Sequence, residues 1–62
     1  MRPPPANHAT LAQRYSDWAR MQVHLAHQAL NPKVRLDHLA LAEFYLQRAE
    51  GELAAAKRLE SQ

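Results

Sequence analysis

The chain contains no cysteine and only one glycine among its 62 residues. Without cysteine, neither a disulfide framework nor a thiolate metal site can form. A single glycine excludes the glycine-rich phosphate-binding loops, which need at least two. The sequence also lacks an apolar run of the roughly 18 residues that span a bilayer, and no apolar segment typical of a signal peptide follows Met1. These absences predict a cytoplasmic protein that has no membrane anchor.

The chain is close to the lower size limit for a domain that folds alone. A domain of about 60 residues buries only about 60% of the surface that its unfolded chain exposes. Its core therefore contributes little net stability, and a further stabilising feature is expected. Since disulfides are excluded, the remaining choices are oligomerisation, a metal held by histidine, or folding on a partner.

The chain also has little net charge, because its eight basic residues are nearly balanced by six acidic ones, which gives +2. The pI near 9.5 reflects this small excess in a short chain. Nucleic-acid-binding proteins usually carry a basic stripe as well as a high pI. Here the basic residues are scattered from Arg2 to Arg58. We therefore do not expect nucleic acid to be the main partner.

Prolines and helix-capping residues divide the chain into three parts. Residues 1–6 contain three consecutive prolines and predict a stiff, solvated arm, with binding to an aromatic groove as the alternative. Residues 7–62 then form one helical unit. Its first helix is expected at about 8–30, starting from Asn7 as N-cap or from the Thr10 capping box with Gln13.

Asn31 and Pro32 separate the first helix from the second. Proline cannot continue a helix but is favourable at the first position of the next one, with Asn31 as its N-cap. The second helix is therefore expected at about 32–59. A connection this short makes the two helices antiparallel neighbours, so the fold class is an all-α, antiparallel two-helix hairpin.

Both helices carry seven-residue patterns of apolar residues. The second helix repeats L-x-x-A three times, and the first has an alanine column beside its apolar seam. These patterns predict a closely packed helix pair in which small side chains face large ones. The alanines expected to face Leu39, Leu46 and Leu53 are Ala26, Ala19 and Ala12.

The apolar residues outnumber those that one helix pair can bury. A helix that is apolar on more than one side normally has more than one neighbour. We therefore expect the hairpin to dimerise into an antiparallel four-helix bundle, or to be held by a protein partner. The residues predicted to form the protein interface are Leu11, Tyr15, Trp18, Gln22, Leu25, Leu36, Ala40, Phe44 and Tyr45.

Histidine is the only residue type present that suggests a metal site. His24 and His27 lie one turn apart, but the pattern places both on the polar face of the first helix. His38 falls in the apolar stripe of the second. A zinc site needs three or four ligands, and this arrangement collects only two. We expect no metal or other cofactor, two solvated histidines, and a hydrogen-bonded His38 whose sensitivity to pH stays open.

Gln22 lies in the middle of the apolar seam of the first helix. A buried polar residue at such a position can determine register and oligomeric state. Incomplete burial at the edge of the interface is an equally good explanation. No nucleophile, base and orienting group come together in the sequence, so we do not expect an enzyme.

The turn and the residues after it resemble a pattern found in many short bacterial proteins. In those proteins, D-P-x-V-R precedes L-x-L-A-E-x-Y/W-x-x-L-A-E. The matching segments here are Asn31-Pro32-Lys33-Val34-Arg35, Leu39-Ala40-Leu41-Ala42-Glu43-Phe44-Tyr45 and Ala49-Glu50. The chain departs in having Asn31 for aspartate and Gln47-Arg48 before Ala49. The resemblance covers about residues 26–50 and implies a helical hairpin without catalytic residues.

The architecture alone is also similar to the plasmid repressor-of-primer protein, a homodimeric four-helix bundle that binds paired RNA loops. The leading functional interpretation is a small regulator, adaptor or inhibitor that binds proteins through a helical surface. One alternative is a small subunit that docks in a larger assembly. The other is a homodimeric RNA- or DNA-binding bundle, whose binding residues would be Arg14, Arg20, His24, His27 and Gln28.

Overall fold

The structure, a computed structural model, describes residues 7–60, apart from the side chain of residue 60. Helix α1 spans His8–Gln28 and helix α2 spans Pro32–Glu60, and the described part of the chain contains no strand. The two helices pack against each other as an antiparallel hairpin. The predicted all-α hairpin is therefore confirmed, while the expected arm at residues 1–6 lies outside the described residues.

Asn7 is the residue that caps α1. Its side-chain oxygen Oδ1 accepts a hydrogen bond of 2.8 Å from the backbone amide of Thr10, which satisfies one of the free donors at the helix start. Gln13 does not reach back to Thr10 as a capping box requires. Its Nε2 instead donates to Oδ1 of Asp17 at 3.0 Å. Of the two predicted helix starts, Asn7 is the one that forms.

The connection between the helices is held by its own polar side chains. Helix α1 ends two residues before the expected position because Ala29 adopts an extended backbone, with φ −72° and ψ 127°. The side chain of Asn31 accepts from the amides of Lys33 at 2.8 Å and Val34 at 3.4 Å, so it caps α2 as predicted. Arg35 donates from Nη2 to the carbonyl oxygen of Ala29 at 3.0 Å and ties α2 to the end of α1.

The core between the helices consists of alanine. Two alanine rows, one on each helix, face each other, and their exposed fractions are only 2% to 4%. Such small side chains allow the two backbones to approach closely. Among residues 7–59, the five buried residues are Ala12, Ala19, Ala26, Ala42 and Ala49.

The expected pairing of alanine with leucine was wrong. Leu39, Leu46 and Leu53 lie beside the alanine rows and are 42% to 48% exposed. With Ala42 and Ala49 facing the alanines of α1, the space between the helices is too narrow for leucine. The leucines are displaced to one flank of the pair.

A core of alanines buries little apolar surface. Burying a methyl group contributes far less than the roughly 1.5–3 kcal/mol of a fully buried leucine or phenylalanine. No large side chain of the described residues is fully buried, and the exposed fractions of the large apolar side chains reach 95% at Leu30. The hairpin thus forms a single layer with apolar surface on both sides. No helix of this part of the chain is long and apolar enough to cross a bilayer.

The close approach of the backbones predicts that enlarging a core alanine is destabilising. Ala42→Leu should lower the free energy of unfolding by about 1–3 kcal/mol, because the added atoms force the helices apart. Alanine and leucine have similar helix propensities, so propensity does not contribute to this loss. Urea unfolding followed by circular dichroism measures the change.

The matched control is Ala54→Leu, which makes the same replacement at an exposed position of α2. It should leave the urea midpoint nearly unchanged. Equal midpoints for the two variants would contradict the alanine core.

Candidate protein-interaction surfaces

The alanine core divides the hairpin into two faces. Along α2, the residue three positions after a buried alanine lies on one face and the residue four positions after it lies on the other, as Tyr45 and Leu46 do after Ala42. We call the first the aromatic face, formed around Tyr15, Trp18 and Tyr45. The second, the leucine face, is formed by Ser16, Val23, Leu39, Leu46 and Leu53.

On the aromatic face, three of the side-chain pairs that bridge the helices follow one another at seven-residue intervals. Each step of seven residues forward along α1 is matched by a step of seven residues back along α2, so the pairs form a ladder with the heptad period. The central rung is aromatic and the outer two are polar. The rungs are His8 with Glu52, Tyr15 with Tyr45, and Gln22 with His38.

The polar rungs satisfy the part-buried polar groups between the helices. Nδ1 of His38 donates to the amide oxygen Oε1 of Gln22 at 2.7 Å, since an amide oxygen can only accept. Nδ1 of His8 donates to the carboxylate oxygen Oε2 of Glu52, and this contact is an ion pair when the imidazole is protonated. Gln22 therefore has a specific hydrogen-bond partner on α2 and is not left at a solvent-exposed edge. This favours a role for Gln22 in setting the register of the two helices.

Trp18 is the centre of a cluster of aromatic rings. Its ring centroid lies 5.6 Å from that of Tyr15, at an interplanar angle of 76°, and 5.8 Å from that of Tyr45. Both distances fall in the range that aromatic pairs prefer. Phe44 extends the cluster, with its ring 5.8 Å from Tyr45 and the guanidinium of Arg48 5.3 Å from its own centroid. Trp18 is nevertheless 47% exposed, so a fixed aromatic ring is presented to solvent.

The leucine face contains an open groove between the helices. Its volume is about 330 Å³, and it is lined by Ser16, Ala19, Arg20, Val23 and Leu46. The small side chains of α1 leave this space beside the larger leucines of α2. The groove is shallow and apolar, which suits a packed side chain better than a small-molecule substrate.

The residues predicted to form the interface do not lie on one surface. Phe44 borders the aromatic face through its contact with Tyr45. Leu36 lies one turn from Leu39, beside the leucine face, and Ala40 is exposed on the outer side of α2. The predicted residues that do share the aromatic face are Leu11, Tyr15, Trp18, Gln22, Leu25 and Tyr45.

Sequence reasoning did not identify the leucine face as a surface. The L-x-x-A repeat predicts one seam, but in the structure its Ala42 and Ala49 lie in the core and its leucines lie beside it. The signal that separates them is the matching seven-residue alanine column on α1. Alanine columns on both helices favour pairing of alanine with alanine.

The residues of the alternative nucleic-acid surface lie on the outer side of α1, away from α2, but an acidic residue interrupts them. All of them are exposed along α1. Arg14 and Arg20 are six positions apart, which places them about 120° apart around the helix. Asp17 lies between them in the sequence and is also exposed. The members of this set are Arg14, Arg20, His24, His27 and Gln28.

The histidines do not form a metal site within the described part of the chain. No group of three or more His, Asp or Glu residues there could hold a metal ion. His24 and His27 are exposed, as predicted, while His38 is turned toward Gln22. The side chains brought together between the helices are suited to holding two helices in register.

The ladder predicts a measurable coupling between Gln22 and His38. Replacing either residue with alanine removes the same hydrogen bond, so the double variant should lose less stability than the two single losses added together. We expect a coupling of about 0.5–1.5 kcal/mol in a double-mutant cycle based on urea unfolding. A control cycle combines Gln13→Ala with His38→Ala, which share no contact and should be additive. A coupling near zero for Gln22 and His38 would contradict the ladder.

Comparison with protein-family models, with curated proteins and with solved structures finds no match for this chain. The resemblance of its turn to short bacterial helical hairpins therefore stays a prediction.

Proposed function

We propose that the chain is a non-enzymatic, cytoplasmic protein–protein interaction module that binds a partner protein through its aromatic face and works as a homodimeric four-helix bundle. Regulators, adaptors, inhibitors and docked subunits all use a surface of this kind. The observation that carries the proposal is the half-exposed indole of Trp18, held in place by Tyr15 and Tyr45.

The aromatic face has the composition of a binding hot spot. Tryptophan, tyrosine and arginine are the residues that contribute most often to binding energy at protein interfaces. Here Trp18, Tyr15 and Tyr45 are in mutual contact, and Arg48 lies beside them over the ring of Phe44. Since the neighbouring rings already restrict the indole of Trp18, less side-chain entropy is lost when a partner binds.

The shape of this face suits an amphipathic helix of the partner. Leu11, Trp18 and Leu25 recur every seven residues along α1, and Leu41 is 43% exposed on α2. A third helix laid between these rows would place its apolar side over the central tyrosines, which is the helix-in-groove mode of recognition. Arg48 at the border favours a partner helix that carries acidic residues along one edge.

Truncation of Trp18 tests this function. Trp18→Ala should weaken binding of the protein partner by about 2 kcal/mol or more, the range typical of a hot spot. The matched control is Leu36→Ala, since Leu36 is 66% exposed and lies away from the aromatic face. The assay recovers the tagged protein from its native cell at rising salt and scores protein and nucleic acid separately.

The expected result is a protein that resists salt and is retained by the wild type and by Leu36→Ala but lost with Trp18→Ala. Circular dichroism should show the same helix content for both variants. Equal retention by the two variants would contradict binding through the aromatic face.

The same recovery experiment distinguishes the nucleic-acid alternative. Binding to nucleic acid through Arg14 and Arg20 should fall steeply with salt, because each phosphate contact releases counterions. Each arginine-to-alanine replacement should then reduce the salt slope by about one unit. We expect no specific nucleic-acid binding at physiological salt. Tight, salt-sensitive binding that is lost in both arginine variants would favour the alternative.

A further inference from the structure

The leucine face presents a regular apolar row that the hairpin does not cover. Leu39, Leu46 and Leu53 follow one another at seven-residue intervals and are 42% to 48% exposed. The row extends about 21 Å along α2. Beside it lies the groove of about 330 Å³, which Ser16 and Val23 border on α1. A row of large side chains next to a groove can pack against a copy of itself, because each row can fill the other's groove.

The two edges of the leucine face carry opposite charges in the middle of the hairpin, while Lys57 lies seven residues after Glu50 at the far end of the α2 edge. Arg20 lines the groove on the α1 side. Glu43 and Glu50 lie on the α2 side. Each is four residues after a leucine of the leucine face, Glu43 after Leu39 and Glu50 after Leu46. The side chains of Arg20, Glu43 and Glu50 make no ion pair and no side-chain hydrogen bond with residues 7–59. Each edge therefore has charge available for a partner of complementary pattern.

We propose that the occupant of the leucine face is a second copy of this chain, with α1 of each copy lying across α2 of the other. The two-fold axis then runs parallel to the helices, and every adjacent helix pair is antiparallel. This inference rests on the homodimer of the proposed function and adds the surface, the orientation and the charged pairs that hold it. The aromatic faces of both copies stay accessible to a protein partner.

The ladder on the aromatic face provides the register of this dimer. Because His38 and Tyr45 are level with Gln22 and Tyr15, position 20 of α1 is level with position 40 of α2. A two-fold axis parallel to the helices preserves these levels between the copies. Glu43 of the second copy is then three residues, or about 4.5 Å, along the axis from Arg20, which is within the reach of the two long side chains.

The same levels place leucines over the groove. The groove extends along α1 from Ser16 to Val23, which corresponds to positions 37–44 of α2. Leu39 of the second copy lies within this range, and Leu46 lies just beyond it. The two copies therefore fill each other's grooves with the side chains that are exposed in the single hairpin.

The charges in the middle of the hairpin favour the crossed arrangement over the other two-fold arrangement. If α1 lay across α1 and α2 across α2, the edge with Glu43 and Glu50 would meet the same edge of the second copy. Like charges placed opposite each other oppose association. The crossed arrangement instead brings Arg20 to Glu43 twice in every dimer. The pair of Arg20 and Glu43 thus favours one of the two bundles that the apolar row alone allows.

Mixing two charge-reversal variants tests the arrangement. In Arg20→Glu, both cross-pairs of the homodimer become two glutamates, and in Glu43→Arg both become two arginines. Each variant alone should have a dimer dissociation constant raised about tenfold or more, at low salt. A one-to-one mixture restores both pairs in the heterodimer. Sedimentation equilibrium of each variant and of the mixture should therefore recover wild-type association only after mixing.

A second pair of variants tests the face independently of charge. Leu46→Glu, on the leucine face, should shift the species from twice the chain mass of 7.1 kDa to the monomer. Leu41→Glu is the matched control, since Leu41 is 43% exposed and Leu46 is 47% exposed, but on opposite faces. It should remain dimeric. Helix content by circular dichroism reports whether each chain stays folded.

Three results would overturn this dimer. They are a wild type that stays monomeric at all concentrations, a mixture of charge variants that associates no better than its components, and a dimer that survives Leu46→Glu but not Leu41→Glu. Binding of a partner protein is scored by the Trp18→Ala experiment, which needs no self-association. A monomer that still binds its partner through Trp18 therefore refutes the dimer and leaves the interaction module standing.

Discussion

The close contact of two alanine rows is the constraint on which the rest of the structure depends. Ala19 and Ala42 are nearly level in the middle of the hairpin and are 2% and 4% exposed. Side chains of this size bring the backbones together but remove little apolar surface from water. The larger apolar side chains next to the alanine rows, such as Tyr45 and Leu46, are displaced to one flank or the other. The exposed leucines and aromatic rings therefore follow from the same packing that holds the two helices.

The ladder on one flank converts this close contact into a defined register. A row of alanines by itself would tolerate sliding by a heptad, since each alanine is equivalent to the next. The pair of Gln22 and His38 and the pair of His8 and Glu52 are chemically distinct, so a shift by seven residues would break both. Register in turn determines which groups stand level on the opposite flank. In this way the polar contacts of one face set the charge pattern of the other.

Much of the fold could be predicted from the sequence because its signals are local. Asn31 and Pro32 mark the turn through capping and through the missing donor of proline, and the structure confirms the second helix start at Pro32. The pairing of alanine with alanine in the core could not be predicted in the same way. A heptad of alternating leucine and alanine shows which residues share a side of one helix, but it does not show which of the two rows meets the neighbouring helix.

The candidate surfaces were predicted only in part for the same reason. Trp18, Tyr15 and Tyr45 are interface candidates by composition alone, and the structure brings the three rings together. The leucine face was missed because its residues were placed in the core, where hydrophobic leucines usually lie. From the sequence alone, Arg20 is a candidate only for phosphate binding. Its place at the edge of an apolar groove, across from two glutamates, becomes evident only once the register is known.

In the dimer that we propose, a second chain supplies the stability that the alanine core lacks. The most direct measurement is the thermal unfolding midpoint of the wild-type protein by circular dichroism over a thousandfold range of concentration. Because a dimer dissociates as it unfolds, the account predicts a midpoint that rises steadily with concentration. A midpoint that stays the same over the whole range, with a cooperative transition, would show that the hairpin is stable alone and would contradict the claim.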